Sequence, residues 1–120
     1  MSMQPRTPAH LWDALQAAKK AEQLVAAPMT TDQYLQDWIR QAAAERQLEI
    51  IGEALNRIRK HDLPTAERIP DLHAVIATRN IIAHRYDVVD HLRVWKLLRE
   101  DIPALIVAIS TLLGEFGPAH

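Results

Sequence analysis

The chain has no cysteine, only three glycines, and aromatic side chains at 5% of its 120 positions. Without cysteine it can form no disulfide, hold no thiolate-bound zinc and offer no sulfur nucleophile, which suits a reducing cytoplasm. Scarce glycine and few β-branched runs remove the usual punctuation of hairpins and sheets. A dominant charge sign is missing too. Fourteen Lys and Arg stand against fifteen Asp and Glu, a formal charge of −1. That balance argues against a protein that coats nucleic acid non-specifically, so any RNA contact would need a local basic patch. Long hydrophobic runs are also absent. The longest, Ala104 to Ile109, falls far short of a membrane span. Met1 to His10 is polar with two prolines, unlike a signal peptide. These absences lead to the expectation of a cytoplasmic protein with no membrane partner, formed as a single domain over residues 1–120 with one core.

What is present is helix-forming. Stretches of Ala, Leu, Gln, Glu, Lys and Arg point to an all-α chain, and the spacing predicts an up-and-down bundle of four to five helices. A first helix is expected from Thr7, as cap, with Pro8 at the first helical position. It runs through Leu11, Leu15, Ala18 and Leu24 towards Ala27, where Pro28 blocks it. Thr30 and Gln33 make a capping box for a long second helix reaching about Lys60. Its expected core positions are Leu35, Ile39, Ala42, Leu48, Ile51, Leu55 and Ile58. His61 to Pro70 reads as a connector with one short turn. A third main helix begins near Pro70-Asp71 and carries Leu72, Val75, Ile76, Ile81 and Ile82. Asp90 caps a last helix through Leu92, Trp95, Leu98 and Ile102, kinked where Pro103 removes a bond to the Arg99 carbonyl. Ala104 to Leu113 is apolar nearly all round, which predicts a homodimer interface. Trp12, Trp38 and Trp95 fall at apolar positions and are assigned to the core.

Chemistry concentrates in Arg79-Asn80-Ile81-Ile82-Ala83-His84-Arg85-Tyr86, which holds the pattern Arg-x-x-x-x-His-x-Tyr. The Arg79 guanidinium is a permanent planar cation suited to phosphate oxygens. His84 can move a proton near neutral pH, a role worth roughly 10²–10⁴ in rate. Asn80 and His84 are four apart on one helix face, so Asn80 could orient the imidazole or touch substrate. RNA suits this set because its 2′-hydroxyl supplies the nucleophile. The alternative is structural: such a pair on a helix is common by chance and usually serves packing or the surface. A symmetric dimer would bring two copies to one cleft.

Elsewhere the signals are weaker. His84, Asp87 and His91 share a face of a continuous helix, but Val88-Val89 and the Asp90 cap imply a break, which counts against a metal site. No Glu-x-x-His pair, glycine-rich phosphate loop, Gly-x-Ser-x-Gly elbow or His-Glu-x-x-His occurs. No cofactor is implied. Arg46, Arg57, Arg59 and Lys60 read first as a solvated face and second as an RNA groove, with Arg46 and Arg85 the candidate RNA contacts. Glu53, amid aliphatic neighbours, reads as a partly buried carboxylate pairing an arginine.

Three segments together resemble the HEPN superfamily, and within it the HepT-like proteins. They are Arg46-Gln47-Leu48-Glu49-Ile50-Ile51-Gly52-Glu53-Ala54, then Arg79 to Tyr86, then Val94-Trp95 with Glu100-Asp101-Ile102-Pro103-Ala104-Leu105. The resemblance implies a dimeric helical bundle that cleaves RNA without a metal, acting as the toxin of a toxin–antitoxin pair. It also implies a cognate nucleotidyltransferase antitoxin that neutralises the toxin by attaching AMP to the motif tyrosine. On this resemblance Arg79 and His84 match the catalytic pair, Asn80 the polar residue after the arginine, and Tyr86 the AMP acceptor. Family members often carry tryptophan after the proline that precedes the motif helix, whereas Asp71 and Leu72 follow Pro70 here. Two competing readings are a non-catalytic nucleotide- or partner-binding module and an inactive helical dimer.

Overall fold

Small side chains on the first helix set how closely its neighbours approach. A computed structural model describes residues 5–84 and 89–115, and for Ala83 and His84 the description covers only the backbone. Helix α1 (Thr7–Leu24) and the long helix α3 (Trp38–His61) form the centre. Leu11, Ala14, Leu15, Ala18 and Ala21 of α1 close on Ala44, Leu48, Ile51, Leu55 and Ile58 of α3, all buried. Thr7 is the first helical residue and Arg6 the cap, so Thr7 does not cap as expected. Its hydroxyl instead donates to Asp62 Oδ2 at 2.8 Å, which ties the start of α1 to the end of α3. Asp62 also accepts from the Thr65 hydroxyl at 2.8 Å and starts the one-turn α4 (Leu63–Ala66).

The predicted long second helix is two helices. The Thr30–Gln33 capping box is present and opens α2 (Thr31–Leu35), but the chain breaks at Gln36-Asp37. Asp37 Oδ1 accepts from the Arg40 backbone N–H at 2.9 Å, so an aspartate that can cap starts a new helix there. Gln41 Nε2, buried, donates to the Tyr34 carbonyl at 2.9 Å and braces the break. The restart moves the core stripe to Gln41, Ala44, Leu48, Ile51, Leu55 and Ile58. Ile39 and Trp38 therefore face outward, 64% and 74% exposed, and Leu35 and Trp12 are also exposed. Of the three tryptophans assigned to the core only Trp95 belongs there. Its ring lies 5.2 Å from that of Tyr34, with the Arg99 guanidinium 5.2 Å over it.

Helix α5 (Leu72–His84) packs along α3 through Val75, Ile76 and Ile82. It begins after Asp71, whose φ of 59° is the left-handed conformation that Asp tolerates. Asp90 Oδ1 caps α6 (His91–Lys96) as expected. The kink at Pro103 takes the form of a π-helical turn, Leu97–Asp101, ahead of α7 (Ile102–Gly114). The Ile102 N–H reaches back to the Leu97 carbonyl, so the wider turn absorbs the proline at the second position of α7. Helix α7 buries Leu105, Ile109, Leu112 and Leu113, packing against α1, and turns Val107 outward. Its apolar stripe is thus largely used within the protomer. No described helix is long and apolar enough to cross a membrane.

Candidate active site

Helix α3 has one glycine, Gly52, and Arg79 of α5 packs on it. A Cβ at position 52 would lie 2.5 Å from Arg79 Cγ and closer still to Arg79 Cβ. Glycine inside a helix costs about 1 kcal/mol against alanine. Here it lets the arginine stem lie flat on α3. The next residue, Glu53, receives the guanidinium: Arg79 Nη2 donates to Glu53 Oε2 at 2.8 Å. On the other side Arg79 Nη1 donates to Asn80 Oδ1 at 3.0 Å. The buried Arg79 Nε has no hydrogen-bond partner among the described residues. Its side chain is 27% exposed, against 68% for Arg46, so Arg79 is the more closely held of the two.

Glu53 serves two arginines, because Arg57 Nε also donates to its Oε1 at 3.1 Å. Beside this chain lies a cavity of 430 Å³ lined by His10 and Asp13 of α1, by Arg46, Glu49, Glu53 and Arg57 of α3, and by Arg79. Arg46 Nη1 reaches Glu49 Oε2 at 3.4 Å. Three guanidinium groups thus rest on carboxylates at an open surface. An anion entering the cavity could exchange for those carboxylates, and arginine offers it two parallel N–H donors. The three arginines are matched by Asp13, Glu49 and Glu53, so the cavity offers exchangeable cations rather than a basic excess.

The sequence-predicted residues divide clearly. Arg79 and Asn80 meet, and Arg46 lines the same cavity as Arg79. Asn80 is exposed and its contact is to Arg79, so it helps hold the guanidinium. His84 is the last residue of α5, with its imidazole outside the described residues. Arg85, Tyr86 and Asp87 also lie outside the described residues. Glu53 pairs an arginine as expected. Gly52, His10 and Asp13 were missed. A glycine inside a helical pattern was the available signal for Gly52, whereas His10 and Asp13 sit far away in sequence and gave none.

A second polar cluster lies elsewhere on α3. Glu45 Oε2 is 3.5 Å from His91 Nδ1, an ion-pair distance that makes no hydrogen bond. Burial raises the Glu45 carboxyl above its ordinary value, with His91 pulling it down and Glu49 pushing it up. Burial, then Glu45, likewise raises the Tyr34 hydroxyl.

Comparison with known proteins identifies the family. The family model described as "Ribonuclease HepT-like" matches residues 14–112. A protein of Methanocaldococcus jannaschii, provisionally named an RNase, is 29% identical over 99 residues, covering 81% of this chain and 87% of its own. No solved structure matches the chain at a comparable level.

Proposed function

The chain belongs to the HepT-like ribonuclease family, and we propose that it is a metal-independent endoribonuclease acting as the toxin of a prokaryotic toxin–antitoxin pair. The observation that carries this reading is the fixed Arg79 guanidinium, held by Glu53 and Asn80 beside an arginine-lined cavity. It lies on the same helix as His84, five residues before it. In the proposed reaction the substrate's 2′-oxygen forms a bond to phosphorus while the bond to the 5′-oxygen breaks. One His84 takes the 2′-hydroxyl proton, and the His84 of a second protomer gives a proton to the departing 5′-oxygen. Arg79 stabilises the charge that builds on the phosphoryl oxygens. A homodimer supplies both histidines, and AMP transfer to Tyr86 by a cognate nucleotidyltransferase silences the cleft.

The experiment is RNA cleavage by purified protein, with growth arrest on expression as the companion readout. His84→Ala and Arg79→Ala should each lose at least about 10²-fold in rate while remaining helical by circular dichroism. Incubation with the neighbouring nucleotidyltransferase and ATP should add AMP to the parent and none to Tyr86→Phe, read by mass. If His84→Ala stays as toxic and as active as the parent, the reading fails.

A further inference from the structure

The cavity beside Arg79 does not end there. His10 and Arg57 also line a second, adjoining cavity, of 560 Å³, where α1 begins and α3 ends. Its remaining polar lining includes Arg6, Thr7 and His61. Two arginines and two histidines therefore face one space, and among the described residues no carboxylate lines it. Acids stand just outside that lining, and two of them carry bonds of their own. Glu53 takes the Arg57 Nε, and Asp62 accepts from the Thr7 and Thr65 hydroxyls. Nor is the His10 imidazole indifferent to its neighbours: burial first, then Arg57, His61 and Arg6, hold it below the ordinary histidine value against the pull of Asp13. Cations that face one space from which the carboxylates are set back favour an anion there. The Arg79 cavity differs, since carboxylates line it as well.

We propose that Arg6, His10, Arg57 and His61 form a second phosphate-binding subsite, which takes a backbone phosphate of the RNA strand whose scissile phosphate lies at Arg79. The proposal rests on the ribonuclease reading. Glu53 and His61 are two turns apart on α3, about 12 Å at the usual helical rise. That spans three to four nucleotides at about 3.4 Å per stacked nucleotide. The subsite would thus fix the strand's path and favour substrates several nucleotides long, and the short Arg57 link would keep the two phosphates in register.

The test uses the full-length protein and Arg6→Gln/His61→Gln, two residues that line only the far cavity. An octanucleotide with 2′-O-methyl groups, which cannot be cleaved, should bind the double variant about tenfold more weakly. Its dependence on log salt should be shallower by about one unit. Cleavage of a dinucleotide, too short to reach the far cavity, should change by less than about twofold. Unchanged octanucleotide affinity and salt slope would overturn the subsite, as would an equal loss on the dinucleotide. A parallel titration with inorganic phosphate follows the His10 and His61 imidazole resonances by NMR. If phosphate shifts both in the parent and leaves His10 unmoved in the variant, which lacks His61, while no RNA binds or is cleaved, the subsite stands for free phosphate and the ribonuclease reading falls. If neither ligand shifts them, the subsite is overturned whatever the cleavage assay shows.

Discussion

Helix α3 carries charge on two sides and treats it differently on each. Towards Arg79, each of Glu49 and Glu53 meets a guanidinium at an open cavity. Exposed ion pairs of this kind are worth little, typically under about 1 kcal/mol, so they cost little to break when a phosphate arrives. Towards His91, Glu45 is largely buried, and its histidine neighbour stands at 3.5 Å. The Tyr34 hydroxyl and His91 Nδ1 are buried without a hydrogen-bond partner among the described residues. Groups buried there must be neutral or be left poorly solvated. The contrast separates charges kept available for exchange from polar groups caught in a joint between helices.

The largest effect should come from filling the space under Arg79. In Gly52→Ala the new methyl occupies the place of the arginine stem, so α5 must shift or the guanidinium must swing away. A displacement near 1 Å at a catalytic group costs about 10²-fold, and RNA cleavage should fall by that order. Better helix propensity offsets part of an overpacking cost of about 1–3 kcal/mol, so urea unfolding should show a folded protein destabilised by no more than about 2 kcal/mol. Parent-level cleavage in this variant would remove Arg79 placement from the account. The next effect is smaller and has a signature. Glu53→Gln keeps the side chain's shape but deletes the charge that holds Arg79 and Arg57. Both KM and kcat should drop, each by about threefold to tenfold, since two arginines become freer for phosphate while Arg79 loses its fixed aim. A lower kcat with unchanged KM would mean that Glu53 does not compete with substrate.

Much of this was legible in the chain. The all-α class, the Thr30–Gln33 box, the Asp90 cap and the disturbance at Pro103 all rest on local chemistry, which acts over three to five residues. The break at Asp37 was missed because apolar spacing continued across it, and the aspartate's capping bond outweighed that pattern. The exposure of Trp38 and Ile39 followed from the same miss. At the site, Arg79 and Asn80 could be named from their motif, and Glu53 from its aliphatic neighbours. The role of Gly52 could not, since it depends on which residue of α5 lies against it, and helix-to-helix register leaves no local mark. His10 joins the groove only because α1 packs alongside α3, a long-range fact.

The smallest expected effect tests the drier side of the comparison. Burial raises the Glu45 carboxyl above its ordinary value of 4.5, so the folded protein binds that proton more readily than the unfolded chain does. Stability from this group is therefore fully present below about 4.5 and is lost as pH climbs through the raised folded value. Glu45→Gln is neutral at every pH and removes that slope. Urea midpoints of parent and variant, measured from pH 4 to pH 7.5, should diverge in the variant's favour as pH rises, reaching a gain within about 1 kcal/mol at neutral pH. RNA cleavage should be unaffected, because Glu45 lines neither groove cavity. The His91 imidazole acts against this trend by favouring the charged carboxylate. If the variant is instead the less stable protein at neutral pH, attraction to His91 outweighs burial, and the two sides of α3 would then handle their carboxylates alike.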